Sequence, residues 1–284
     1  MKVFPVMVCA FVLAPLLFCG APAAAIEEGE DHAVTASLEG GRYVEDIAFV
    51  ARCDGTTQRY VCMYPGANPS EAYDGILIAL HGHGSDRWQF IRDGRDECRA
   101  VRDVAAKHRL LLVSPDYRAK TSWMGPAAEA DLVQIIEGLK ASHDLEKVYL
   151  CGGSMGGTAV LIFAALHPDL TAGAASMNGT ANLVEYDQFQ DAIAASYGGS
   201  KCEVPEEYKK RSPELHAERL TMPVAVTAGA LDEVVPAASV LRLAAHLEQM
   251  ERAVLLVYDE AGGHQTCYKD AVRSLTFILA PPQD

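Results

Sequence analysis

The chain has 284 residues, of which 50% are hydrophobic and 22% charged; this excludes disorder, and the scattered Gly and Pro exclude collagen-like or coiled-coil composition. With 24 basic against 38 acidic residues the formal net charge is −14. Such a surface repels phosphate backbones and anionic lipid, so nucleic acid is not an expected partner.

Lys2 and the apolar run from Val3 to Phe18 close on Ala21-Pro22-Ala23-Ala24-Ala25. A positive start, an apolar middle and an A-x-A site read as a secretory signal peptide over residues 1–25, so the expected location is secreted or periplasmic. The run is short for a span, and no stable membrane anchor is expected. Of the eight cysteines, Cys9 and Cys19 leave with this leader, and Cys53, Cys62, Cys98, Cys151, Cys202 and Cys267 remain. Export permits disulfides. Cys53 and Cys62 flank an Asp54-Gly55 turn signal and are read as a candidate pair facing each other across a hairpin, with some or all of the six cysteines free as the equal alternative. Cys151, in an apolar strand, reads as a buried free thiol.

Residues 26–41 are acidic and contain glycine, and read as a mobile mature N-terminus. Arg42 to Ala51 and Arg59 to Tyr64 have strand character. Short apolar strands then alternate with amphipathic segments. Strands are predicted at Gly75 to His81, Leu110 to Ser114, Lys147 to Gly152, Ala172 to Met177, Pro223 to Gly229 and Val254 to Tyr258. Helices are predicted at Asp96 to His108, Gly125 to His143, Met155 to His167, Ala237 to Met250 and Cys267 to Leu279. This rhythm predicts one α/β domain over residues 42–284: a mostly parallel, doubly wound sheet entered through an antiparallel hairpin. Residues 179–222 are too long for an ordinary connection. They read as a short lid insertion with a helical piece near Leu183 to Tyr197.

The most informative segment is Cys151-Gly-Gly-Ser154-Met-Gly-Gly157, a G-x-S-x-G pattern between a predicted strand and a predicted helix. A serine on such a sharp turn needs small neighbours, and the helix that follows aims its positive end at developing negative charge. Ser154 is therefore the expected nucleophile. A base and an acid should follow in the order acid, then base. Asp232 stands just past the strand that ends at Gly229, where site residues collect in open α/β sheets. Glu233, Asp259 and Glu260 are its competitors, and capping of the next helix is its structural alternative. Among nine histidines, His264 follows the next strand and two glycines, and is the expected base. The loop His81-Gly82-His83-Gly84 follows a strand and supplies oxyanion donors at His83 and Gly82, with Met155 giving the other amide. No third ligand stands near His81 and His83 at a recognisable spacing, so no metal is expected, and the chemistry needs no cofactor. Tyr117, Trp123 and Met124, in a loop after a strand, are candidate substrate contacts.

Together these segments, with Arg211-Ser-Pro-Glu214 and Met222 to Pro236, resemble the α/β-hydrolase superfamily over nearly all of the mature chain. The C-terminal half resembles the catalytic domain of the prolyl oligopeptidase family and its esterase relatives. The resemblance implies Ser154 as nucleophile, Asp232 as acid and His264 as base. The peptidases of that family usually carry a propeller domain ahead of the hydrolase, for which this chain has no room. The expectation is thus a secreted serine carboxylesterase on a small-molecule or polysaccharide ester. A peptidase on short peptides is the alternative, and a non-catalytic binding protein of hydrolase fold the third reading. With Cys202 in the insertion and Cys267 three residues past the base, a second disulfide would brace the base's loop.

Overall fold

A computed structural model describes residues 34–70, 72–143 and 145–280; the expected leader at residues 1–25 lies outside them. Nine strands form one sheet in the order β1-β2-β3-β5-β4-β6-β7-β8-β9. Strands β1 (Val34–Glu39), β2 (Arg42–Val50) and β3 (Thr57–Met63) pair antiparallel, and β3 joins β5 (Leu110–Pro115) antiparallel. From β5 onward, β4 (Gly75–Leu80), β6 (Val148–Gly153), β7 (Gly173–Met177), β8 (Val224–Gly229) and β9 (Val254–Asp259) are all parallel. The expected doubly wound sheet with an antiparallel entry is the one observed.

Strands β4, β5, β7 and β8 are buried along their whole length, as parallel strands covered on both faces must be. One face is covered by α3 (Pro126–His143), α4 (Met155–Leu166) and α7 (Ala238–Gln249). The other is covered by α1 (Gln89–Arg92), α2 (Asp96–Lys107) and α8 (Tyr268–Leu279). Helix α4 is apolar all round and buried from Met155 to Ala165, so it sits at the centre of the molecule, not on its surface. Helix α2 instead presents a stripe, Cys98, Val101, Val104 and Ala105, and places Asp96 and Glu97 at its positive end. Among the described residues no helix is long and apolar enough to cross a membrane.

Three expectations need correction. Residues 34–39 belong to a paired strand, not to a mobile terminus. Gly40 and Gly41, both at positive φ (55° and 78°), make the two-residue turn that folds β1 onto β2. All six described cysteines are free. Cys62 is buried in β3 opposite Glu45, while Cys53 lies exposed in the turn, where Arg118 Nη2 donates to its Sγ at 3.0 Å. Cys267 donates to Asp270 Oδ2 at the start of α8, and Cys202 is exposed and unbridged. Cys151 is the buried free thiol expected of it.

The insertion is a packed cap. Its helices are α5 (Gln190–Tyr197) and α6 (Pro205–Lys210), followed by a 3-10 segment, Pro213–Arg219. The expected helix starts later than Leu183 because Phe189 adopts a left-handed conformation ahead of it. Arg211 fastens the cap: wholly buried, it donates to the Met124 carbonyl (2.8 Å), Glu207 (3.0 Å) and Glu129 on α3 (2.6 Å). Ser212 Oγ accepts the Leu183 amide at 2.9 Å, so the Arg211-Ser-Pro-Glu214 segment is a chain of anchors.

Candidate active site

Ser154 stands between β6 and α4 at φ 58°, ψ −122°, a backbone conformation that non-glycine residues rarely hold. The glycines around it are required by contact. A Cβ on Gly156 would lie 1.8 Å from the Leu80 carbonyl oxygen, and one on Gly152 would lie 2.5 Å from Gly156. One on Gly157 would lie 2.9 Å from the Met177 oxygen. The strained turn is held from below, where the Ser154 amide donates to Met177 O at 2.8 Å.

The structure brings the three residues from separate loops into one hydrogen-bonded chain. Ser154 Oγ lies 2.8 Å from His264 Nε2, and His264 Nδ1 lies 2.7 Å from Asp232 Oδ2. The Asp232 carboxylate is sealed from solvent, and its other oxygen accepts the Val234 and Val235 amides at 2.9 and 2.8 Å. With the carboxylate accepting, Nδ1 carries the imidazole proton, and Nε2 is left to accept from the serine hydroxyl. The competitors fall away: Glu233 and Glu260 are exposed, and Asp259 Oδ1 accepts the Ala261 amide of its own loop. Nor does Asp232 cap α7, which starts at Ala238 without a side-chain cap.

Above Ser154 the loop after β4 folds back. The Met155 and His83 amides form no hydrogen bond among the described residues, and both remain donors. Gly82 differs from its expected role. Its amide donates to the buried Gln89 Oε1 at 2.9 Å, so it orients the loop and is not free to serve as a donor at the serine. The His81 ring nitrogens face the Gly82 and Asp116 carbonyls. The His83 ring accepts the Trp123 indole N–H at Nδ1 (3.1 Å), and burial lowers its pKa, so it is a neutral ring.

Tyr117, Trp123 and Met124 are all buried at 1% exposure or less, so none offers a face to a substrate. Tyr117 donates to the His81 carbonyl, and Trp123 backs an aromatic layer formed by His83, Tyr186 and Phe189. The solvent-facing member is Phe189, with its ring centroid 4.3 Å from that of His83. Its position in the insertion carried no local signal for this contact, which the fold of the cap creates. A crevice of about 50 Å³ adjoins Ser154 and His264, with Arg95, Glu97, Asn178 and Thr266 in its walls.

Residues 123–278 match the model of the prolyl oligopeptidase family, more than half of the chain. The chain belongs to the prolyl oligopeptidase family. No curated protein matches it. Among solved structures this family member is similar to FphF, a fluorophosphonate-binding serine hydrolase of Staphylococcus aureus. That likeness has a TM-score of 0.62 at 16% identity and covers 84% of this chain and 98% of that one. It is also similar to an S-formylglutathione hydrolase of Agrobacterium tumefaciens (TM-score 0.64, 13% identity, 84% and 94% covered). An acylaminoacyl peptidase of Pyrococcus horikoshii gives a TM-score of 0.63 at 16% identity, with 83% of this chain covered but 41% of that one. The fold is that of the α/β hydrolases, and the family member is a serine hydrolase.

Proposed function

We propose that the chain is an exported carboxylic ester hydrolase that works through an acyl-enzyme on Ser154. The observation that carries the reading is the unbroken hydrogen-bonded chain Ser154–His264–Asp232 on a strained elbow beside the Met155 and His83 amides. His264 Nε2 takes the hydroxyl proton as Ser154 Oγ attacks the acyl carbonyl carbon. Asp232 holds the imidazole and stabilises its charge. The carbonyl oxygen becomes an oxyanion that accepts from the Met155 and His83 amides. His264 passes its proton to the leaving alcohol as the acyl–oxygen bond breaks. Water then attacks the acyl-enzyme, giving its proton to His264, and the acid leaves as Ser154 regains its hydrogen. No step calls for a metal or cofactor.

The ester reading is supported by two hydrolase neighbours that the chain matches over 98% and 94% of their length. Phe189 on His83 offers a flat apolar wall beside the oxyanion loop, which suits an aromatic or acetylated carbohydrate ester. The family match itself favours the second reading, a peptidase on short peptides. Export follows from the leader at residues 1–25, and a secreted protein beginning at Ile26 is its expected mark. The deciding experiment compares kcat/KM on acetylated xylan, methyl ferulate and proline-containing peptides. Ester hydrolysis with peptide rates at least ~100-fold lower is expected. Peptide hydrolysis at the higher rate contradicts the esterase reading and establishes the second.

A further inference from the structure

We propose that Asn178 is a positioning residue for the base, clamping the His264 loop on both sides through Gly263 and Thr266. The proposal rests on His264 acting as the base of the reading above.

His264 forms no backbone hydrogen bond of its own among the described residues, so its place depends on its neighbours in the chain. On one side, Gly229 at the end of β8 lets the loop pass directly over the strand. A Cβ there would lie 2.4 Å from the Gly262 and Gly263 carbonyl oxygens. The Gly262 oxygen accepts the Leu231 amide at 2.8 Å. On the other side stands Asn178, just past β7, in a left-handed conformation (φ 51°) that asparagine tolerates better than most residues.

Asn178 reaches both flanks of the histidine. Its Nδ2 donates to the Gly263 carbonyl at 3.4 Å, and its Oδ1 accepts from the Thr266 hydroxyl at 2.5 Å. The Thr266 oxygen lies 2.7 Å from the Thr227 hydroxyl on β8, and the Asn178 amide donates back to Thr227 Oγ1 at 3.3 Å and to its carbonyl at 3.1 Å. Asn178 Oδ1 also lies 3.4 Å from the Thr227 hydroxyl, so each threonine hydroxyl can donate to it or to the other threonine, and the Asn178 amide returns to Thr227. This closed ring ties β7, β8 and the base loop together. All three residues are buried, at 4–6% exposure, where a broken member leaves its partners without water to replace it.

The consequence lies in proton transfer. The imidazole must face Ser154 Oγ during attack and the leaving oxygen during collapse, and a displacement near 1 Å costs about 10²-fold in rate. An alkoxide leaving group needs the proton from His264, whereas p-nitrophenolate departs largely without it. Loosening the clamp therefore slows acylation, read as kcat on ethyl acetate and as the burst rate on p-nitrophenyl acetate, and more so for the alkyl ester.

The test uses the full chain with Asn178→Gly, which suits a left-handed backbone, Thr266→Val, which keeps the shape without the hydroxyl, and Thr266→Ser, which restores it. Kinetics on p-nitrophenyl acetate and ethyl acetate are compared, with Ser154→Ala as control. Expected are losses in kcat of about 10- to 100-fold for Asn178→Gly and Thr266→Val. On ethyl acetate KM should stay within about twofold, the p-nitrophenyl acetate burst rate should fall by less than the ethyl acetate kcat, and Thr266→Ser should recover most of the rate. Wild-type kcat on ethyl acetate in the first two variants overturns the proposal. So do equal losses in the ethyl acetate kcat and the p-nitrophenyl acetate burst rate, or a Thr266→Ser variant as slow as Thr266→Val, since these give the ring only a folding role. Activity in Ser154→Ala would instead overturn the triad, which keeps the two failures distinct.

Discussion

Asp232 shows how one side chain can be over-determined by its surroundings. One oxygen holds His264 Nδ1, the other accepts two backbone amides, and neither meets solvent. Asp232→Asn keeps the size but turns a donor toward one of these contacts and spoils the tautomer that Ser154 needs. The expected outcome is a fall in kcat of about 10⁴-fold with little change in thermal stability, measured on an activated ester. A loss under tenfold would show that another carboxylate serves His264. The proposed triad is legible in the sequence because its members follow three strand ends in the order the fold requires. What is hidden is tertiary. Gln89 takes up the Gly82 amide from seven residues away, and Trp123, read as a loop aromatic, lies in the buried end of its loop, residues 122–125. Phe189 and Asn178 carry no motif, and only the packing of the cap and of the strand ends brings them to the site.

At the scale of elements, the strands from β4 onward are legible because parallel strands covered twice are apolar at every position, and their helices carry the 3.6-residue period. β1 is not legible by that signal, since Val34 to Leu38 bury nothing; its evidence is the Gly40-Gly41 turn. The cap's tie to α3 is likewise invisible locally, and it gives a pH-dependent prediction. Burial works against charge on Glu129, but hydrogen bonds from His167 and Arg211 outweigh it and hold its carboxyl at about 2, below the ordinary 4.5. A lowered carboxyl contributes stability above its unfolded value, and that contribution disappears as pH falls from about 4.5 toward 2. Glu129→Gln should therefore flatten the stability-against-pH curve in that window, followed by urea unfolding. An unchanged slope would contradict it. Asp131, on the same helix, has the opposite sign: burial raises its carboxyl from 3.8 to about 6, so its share declines as pH rises through that range. Arg211→Met is the harsher change, because it leaves Glu129 half-paired beneath the cap. A loss of about 3–5 kcal/mol is expected from the same unfolding measurement, and a loss below about 1 kcal/mol would show that the cap does not depend on this tie.

The described residues form a sheet with two covered faces and a candidate site at the strand ends. Its cysteines divide by the same geometry. Cys53, Cys202 and Cys267 are exposed, while Cys62, Cys98 and Cys151 are buried, and burial pushes the Cys98 thiol up to about 12. Native alkylation followed by mass spectrometry should label the first three quickly and the other three only after unfolding. Recovery of Cys53–Cys62 or Cys202–Cys267 as a bridged pair would contradict the free thiols seen here. The net charge of −14 singles out no substrate. The proposed chemistry depends first on a single oxygen atom, Ser154 Oγ. The most direct test is the burst of p-nitrophenol released by wild type and by Ser154→Ala from p-nitrophenyl acetate, with circular dichroism confirming that both are folded. One equivalent of burst in wild type and none in the variant, with turnover lost, is the predicted result. A folded Ser154→Ala protein that retains the burst and wild-type turnover would contradict it.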